Sequence, residues 1–402
     1  MKVLFFCEAI TFTHIVRPLK IAKHLESQYE CIIASTFFPS VLTEDLKSFK
    51  TIKIQDGFQP DLFVENITKG KNSYTKSVLE RYIEEDCRII SEVKPDLIIG
   101  DFRHSLAISS QLTNTVYLNL VNINWSPYSL EKLVIGEHVV SKICGGYIGS
   151  LLLHNLQEIV FQKFFSPMNS ILKKHKLAKF KSLYEMYTAG NAVAYLDHKG
   201  LFKTSKLPSH HNIVGPITFS TKVDMPIWIN KIKESSKPCV LVTMGSSGDL
   251  DYLTTIIDSL VELPINIIVA TMGKMLLNYS HDNLYCVDYL PIEDIAPLCS
   301  MFLTNGGSPM SYIGLRAGVP TIGFPVNLDQ ATSFTAIANN KLGIRMRSSE
   351  LKKGKIQSAV TEILNDEEYK ANCEKIAIEM QGYSTLVNIE KIVSGLLKKS
   401  NV

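Results

Sequence analysis

Met301-Phe302-Leu303-Thr304-Asn305-Gly306-Gly307-Ser308-Pro309-Met310 passes from an apolar run through a glycine turn into a stretch with helical spacing. The first four residues read as a short buried strand, and Met310, Ile313, Leu315 and Ala317 recur at roughly the helical period. Pro309 fits the first turn of that helix, where a missing N–H costs nothing. Glycines at a strand-to-helix turn let the backbone come close to a ligand, and the helix start presents unpaired N–H groups to an anion. Gly318-Val319-Pro320 leads into a second apolar run, 321–324, which delivers Asp329 and Gln330 to the same edge. Phosphate donors followed by a carboxylate and an amide suit a sugar joined to phosphate.

Outward from this stretch the same rhythm recurs. Apolar runs lie at 3–7, 29–34, 96–99, 116–120 and 192–196, and again at 240–244, 265–270, 285–287, 301–304 and 321–324. Continuous apolar strands alternating with helical stretches predict parallel sheets covered on both faces. The pattern occurs twice, on either side of a polar, proline-bearing stretch. The expected fold class is therefore α/β, with two doubly wound Rossmann-like domains facing across a cleft. Residues 1–215 form the first domain, 216–238 the linker and 239–402 the second domain. The last helix, 384–399, either closes the second domain or crosses back to the first.

Composition narrows the function. Hydrophobic residues at 46% and charged residues at 20% describe a soluble globular chain, and 402 residues suffice for two cores. A net charge of +3, with no arginine-rich arm, gives no reason to expect nucleic acid. The eight cysteines are scattered without a CxxC pair, which suits buried free thiols in a reducing cytosol. The N-terminus runs straight into a strand, without the cleavage site of a signal peptide. The longest uncharged apolar candidate, 143–153, falls short of the roughly eighteen residues that a membrane span requires. The expected setting is cytoplasmic, at most peripheral at the membrane.

Ligands of open α/β sheets bind outside the carboxyl ends of the strands, so the loops there are searched for chemistry. The first strand ends near Cys7-Glu8, and its loop leads to His14 at the start of a helix. A helix N-terminus disfavours imidazolium, which keeps the ring neutral and able to accept a proton. The run 96–99 ends in Gly100-Asp101; if the two strands are neighbours, Asp101 can accept the other ring N–H of His14. Alone, His14 reads more readily as a helix cap and Asp101 as a solvated turn carboxylate; together, at matching strand ends opposite a phosphate loop, they read as base and partner. His104, three residues on, is a rival base, expected inside the following helix.

The run 240–244 leads into Gly245-Ser246-Ser247-Gly248, a second small-residue turn whose hydroxyls can bind phosphate oxygens. Asp249-Leu250-Asp251 spells DxD, yet at a helix start these carboxylates serve as caps, and no metal site is expected.

The whole arrangement resembles the GT-B glycosyltransferases, in particular the bacterial branch of family 1. The likeness is most specific from Tyr289-Leu290-Pro291 through Asp329-Gln330. It implies that the segment around Tyr289 and Leu290 stacks on the base and that Asn305, Gly306, Gly307 and Ser308 hold the diphosphate. It implies further that Asp329 and Gln330 bind sugar hydroxyls, and that Gly245, Ser246 and Ser247 open the second domain's loop. His14 and Asp101 match the family's base and orienting carboxylate. The chain departs from the pattern at Asn305, where histidine is usual, and at Ile313, where a glutamate commonly holds the ribose. Pro309 and Met310 replace small residues. Around His14, Thr13 stands for the usual glycine and Pro18 lies four residues on rather than three.

The resemblance implies an inverting, metal-independent hexosyltransferase with no cofactor, which takes a nucleotide diphosphate sugar of the UDP type to a hydroxyl of a small or amphiphilic acceptor. Trp125, Ser126, Pro127, Tyr128, Phe161, Phe164, Phe165 and the run 143–153 are candidates for the acceptor pocket, or for ordinary core. Two other functions stay open on the residues. A nucleotide-sugar epimerase would turn over without acceptor, and a non-catalytic sugar-nucleotide or glycan-binding partner protein would bind without releasing nucleotide.

Overall fold

The structure is a computed structural model. It describes all residues except 58–61, 64–65, 67–70, 138, 246–247, 276–278, 280 and 401–402, and it excludes the side chains of 139, 140, 142 and 400. The chain divides into two compact units, each built on a parallel sheet.

The first unit comprises Met1–Glu131, Leu152–Ile217 and Ser384–Val402. Its strands are β1 (Lys2–Cys7), β2 (Glu30–Ser35), β3 (Lys50–Lys53), β4 (Leu97–Asp101), β5 (Val116–Val121), β6 (Ala192–Tyr195) and β7 (His211–Ile213). They form a seven-stranded sheet in the order β3-β2-β1-β4-β5-β6-β7. Val3, Leu4, Phe5 and Phe6 are all fully buried, as expected of a central strand with helices on both faces. Leu4 and Phe6 meet Ile32, Ile98 and Tyr117 in one core layer. The C-terminal helix Thr385–Ser400 belongs to this unit, where it contacts the helix Thr13–Leu25 and strands β4 to β6.

The second unit comprises Lys132–Leu151 and Thr218–Tyr383. Its strands are β8 (Cys239–Thr243), β9 (Asn266–Ala270), β10 (Leu284–Val287), β11 (Met301–Thr304), β12 (Thr321–Gly323) and β13 (Gly343–Arg345). The order β10-β9-β8-β11-β12-β13 is that of dinucleotide-binding sheets. Alternation along β8 fills both faces: Val240 and Val242 join Leu303 and Phe324, whereas Cys239 and Leu241 join Ile268 and Phe302.

The grouping differs from the sequence expectation in two places. Residues 132–151, expected in the first domain, group with the second unit. There the N–H of Glu137 donates to the carbonyl of Val326 (2.9 Å), and that of Val134 to Thr332 Oγ1 (3.0 Å). Most of the expected linker also belongs to the second unit, because its helix Ile229–Lys233 buries Ile229 and Ile232 under the sheet.

Candidate active site

Both sheets reverse their winding next to their first strand, and His14, Asp101 and the two glycine turns lie at these switch points. In the first unit β1 and β4 are neighbours with Cys7 aligned to Asp101, so the loop after β1 and the end of β4 share one edge. His14 occupies the first turn of the helix Thr13–Leu25. Its Nδ1 lies 2.8 Å from Asp101 Oδ1, and its side chain keeps 16% exposure while that of Asp101 keeps 1%.

Arg17, one turn along the same helix, grips the same carboxylate. Its Nε donates to Asp101 Oδ2 (2.8 Å) and its Nη2 to Oδ1 (2.7 Å). Burial raises the carboxyl's pKa, but the charges of Arg17 and His14 and their hydrogen bonds outweigh it and lower it to about 2. An ionised carboxylate only accepts, so Nδ1 carries the proton and Nε2 is the ring's acceptor. The Arg17 Nη2 contact with Nδ1 at 3.4 Å then joins two donors and is no hydrogen bond.

The polar chain continues along the sheet edge. Arg17 Nη1 donates to Asn122 Oδ1 (3.0 Å), and Asn122 Nδ2 donates to Asp197 Oδ1 (3.0 Å). These residues follow β5 and β6 and were not among the sequence candidates. Arg17 had a legible signal, since a residue three after a candidate histidine shares its helix face. Asn122 and Asp197 depend on strand order and had none.

Phe102, directly after Asp101, adopts φ +61°, a strained conformation for a bulky residue. Its ring stacks on His14 at 4.7 Å. Phe63 and His104 pack against Phe102, Tyr187 packs against His104 at 4.1 Å, and Trp125 stacks on Tyr187 at 4.8 Å. His104 lies in the turn before the helix Leu106–Leu112, rather than inside it. Burial in this ring cluster, reinforced by His14, lowers its pKa to about 3, and a base so weak is ill-matched to proton abstraction near neutrality.

Of the acceptor candidates, Trp125 joins the rings beside His14. Phe161 and Phe165 are core residues, and Ser126 hydrogen-bonds the buried Tyr195 hydroxyl at 2.8 Å.

In the second unit β8 and β11 are neighbours with Thr243 aligned to Thr304, and their two glycine turns leave the sheet side by side. Each turn is built alike: Thr243 Oγ1 accepts the Gly245 N–H (3.3 Å), and Thr304 Oγ1 accepts the Gly306 N–H (3.1 Å). Gly245 and Gly306 hold φ +59° and +71°, and a Cβ on Gly306 would meet Phe334 at 3.2 Å. Asn305 is buried between the turns. Its Oδ1 accepts the Gly307 N–H (3.1 Å), and its Nδ2 lies 3.6 Å from where a Cβ on Gly245 would stand.

Two donors expected to face a diphosphate, the N–H groups of Gly306 and Gly307, are thus engaged within the turn. The helix Ser308–Arg316 supplies the next backbone donors, with Pro309 in its first turn. Ser246 and Ser247 lie outside the described residues.

Asp329 and Gln330 open the helix Leu328–Asn339, capped by Asn327. Asp329 is half-buried, whereas Gln330 is buried and its Oε1 accepts the Val326 N–H (3.0 Å). Tyr289 is half-buried, with its hydroxyl beside Gly273. The side chain of Leu290 lies in the core with Ile295 and Ala296, so only its backbone can reach a base, and its carbonyl accepts from Thr221 Oγ1 (2.8 Å). Asp249 Oδ1 accepts the Asp251 N–H (3.0 Å), a helix-start contact.

Residues 254–395 match the family described as erythromycin biosynthesis protein CIII-like, C-terminal domain. A PGL/p-HBAD biosynthesis rhamnosyltransferase of Mycobacterium bovis is 31% identical over 378 residues, which cover 94% of this chain and 83% of that protein. The chain belongs to the family 1 GT-B glycosyltransferases. Solved glycosyltransferases share its fold at low identity. Spinosyn forosaminyltransferase SpnP aligns with a TM-score of 0.71 at 14% identity and covers 99% of both chains. Spinosyn rhamnosyltransferase SpnG, complexed with thymidine diphosphate, aligns at 0.67 and 15% identity over 98% of this glycosyltransferase and all of its own chain. The two parallel-sheet α/β units are those of a GT-B enzyme.

Proposed function

We propose that this glycosyltransferase transfers a hexose from a nucleotide diphosphate sugar to an acceptor hydroxyl, with inversion and without a metal. The observation that carries the reading is the bond between His14 Nδ1 and Asp101, which leaves Nε2 as the acceptor nitrogen at a strand-end switch point. Nε2 takes the proton of the acceptor hydroxyl as its oxygen attacks the anomeric carbon. The bond from that carbon to the diphosphate breaks, and the nucleotide diphosphate leaves with the electron pair. Asp101, held ionised by Arg17, stabilises the imidazolium that results.

Donors around Asn305 and the start of the helix Ser308–Arg316 meet the charge developing on the diphosphate, and Ser246 and Ser247 are assigned to the same group. Asp329 is the stronger candidate for a sugar hydroxyl, because Gln330 is tied to the backbone of Val326. The ring cluster of Phe102, Tyr187 and Trp125 beside His14 favours an acceptor with a flat apolar body next to its hydroxyl.

The test is nucleotide diphosphate release from UDP- and dTDP-sugars over an acceptor panel, with native protein and His14→Ala. Positioned base catalysis supplies roughly 10²–10⁴-fold in rate, so the variant should lose about that much while its thermal shift with donor persists. Turnover that survives in His14→Ala would remove the proposed base, and turnover abolished by EDTA would remove metal independence.

A further inference from the structure

From Leu152 on, the helix Gly146–Lys174 belongs to the first unit and exposes an apolar face there. Leu152, Leu156, Ile159 and Val160 fall at i, i+4, i+7 and i+8, with exposures of 41%, 47%, 61% and 37%. Lys163 continues the face. From there residues 163–181 hold Lys163, Lys173, Lys174, Lys176, Lys179 and Lys181, with no aspartate or glutamate. All these lysines are exposed, and Lys174 pairs with Glu80 at 3.1 Å. In a chain whose net charge is only +3, this concentrates positive charge in the stretch of chain that follows one apolar stripe.

We propose that this face and its lysine run dock the protein on an anionic lipid surface. Such a surface satisfies both features: the aliphatic side chains enter the boundary between headgroups and acyl chains, and the lysines meet headgroup phosphates. A second protein helix would cover the apolar stripe yet leave the lysines that follow it without counter-charge. Among the described residues no helix is long and apolar enough to cross a membrane, so the contact is peripheral.

Co-sedimentation of the full chain with vesicles of phosphatidylcholine, alone or mixed with phosphatidylglycerol, tests this. Binding is expected to the mixed vesicles, at least tenfold tighter than to phosphatidylcholine alone and weakened by salt. Leu156→Glu with Ile159→Glu should abolish it, whereas Lys163→Glu and Lys179→Glu should each weaken it about fivefold. All four positions are exposed, and an unchanged melting temperature identifies folded variants. The proposal is overturned if the native chain sediments with neither vesicle, or binds both alike with no response to these changes. It is equally overturned if light scattering shows a dimer that Leu156→Glu with Ile159→Glu disperses while vesicle binding persists.

Discussion

His14 owes its tautomer to a carboxylate that is itself held by Arg17, so three side chains form one hydrogen-bonded cluster. Asp101→Asn keeps the shape but offers Nδ1 an amide that can donate as well as accept, which frees the ring to adopt the wrong tautomer. A fall in kcat of about 10²–10⁴-fold with donor KM little changed is expected from steady-state kinetics. Asp101 also links stability to pH. Its folded pKa of about 2 lies below the ordinary 3.8, so the contribution is complete above about pH 4 and is lost as pH falls through about 2. The depression corresponds to roughly 2 kcal/mol, and acid melts of native protein against Asp101→Asn should show that term missing from the variant.

Elements meet at a second, wholly buried ion cluster. Arg103 Nη1 donates to Glu8 Oε2 (2.7 Å) at the end of β1, and its Nε donates to Asp86 Oδ1 (3.0 Å) on the helix Lys76–Val93. Ser105 and Ser109 complete the shell of Asp86, and Arg103 lies over the Tyr82 ring at 4.0 Å. Arg103→Met would leave two buried carboxylates without their cation, a loss of about 3–5 kcal/mol measurable by denaturant unfolding. In the second unit, Gly306→Ala would force a Cβ into the left-handed region and against Phe334. That costs roughly 1–2 kcal/mol and displaces the helix start after the turn, so nucleotide should bind more weakly by calorimetry. At this scale the glycine turn and most strands were legible, because each depends on local periodicity and backbone freedom. The strands β3, β7 and β13 were not, since they are short, polar-bearing edge strands whose pairing comes entirely from a neighbour.

The whole molecule returns its C-terminus to the unit that holds its N-terminus. Ile389, Val393 and Leu397 are buried on the helix Thr385–Ser400, and Glu390 Oε2 lies 2.7 Å from His24 Nε2. Asn388 Nδ2 donates to the Val214 carbonyl (3.3 Å). Each buried aliphatic side chain is worth about 1.5–3 kcal/mol, so removing residues 384–402 should lower the stability of the first unit by several kcal/mol and spare the second. Differential scanning calorimetry of the truncated chain would resolve the two transitions.

By itself the sequence determined two parallel α/β units, a glycine turn before a helix, and His14 and Asp101 as candidates at strand ends, which become a pair only because β1 and β4 are neighbours. Apolar runs, glycines and helix starts report on their own surroundings, and a strand end announces where its loop begins. Only the tertiary structure decided the rest. Arg17, Asn122 and Asp197 join the site because β1, β4, β5 and β6 lie side by side, an order set by long-range pairing. The same holds for Leu290, Gln330 and the N–H groups of Gly306 and Gly307: which of their polar atoms stay available depends on partners brought near by turns and packing.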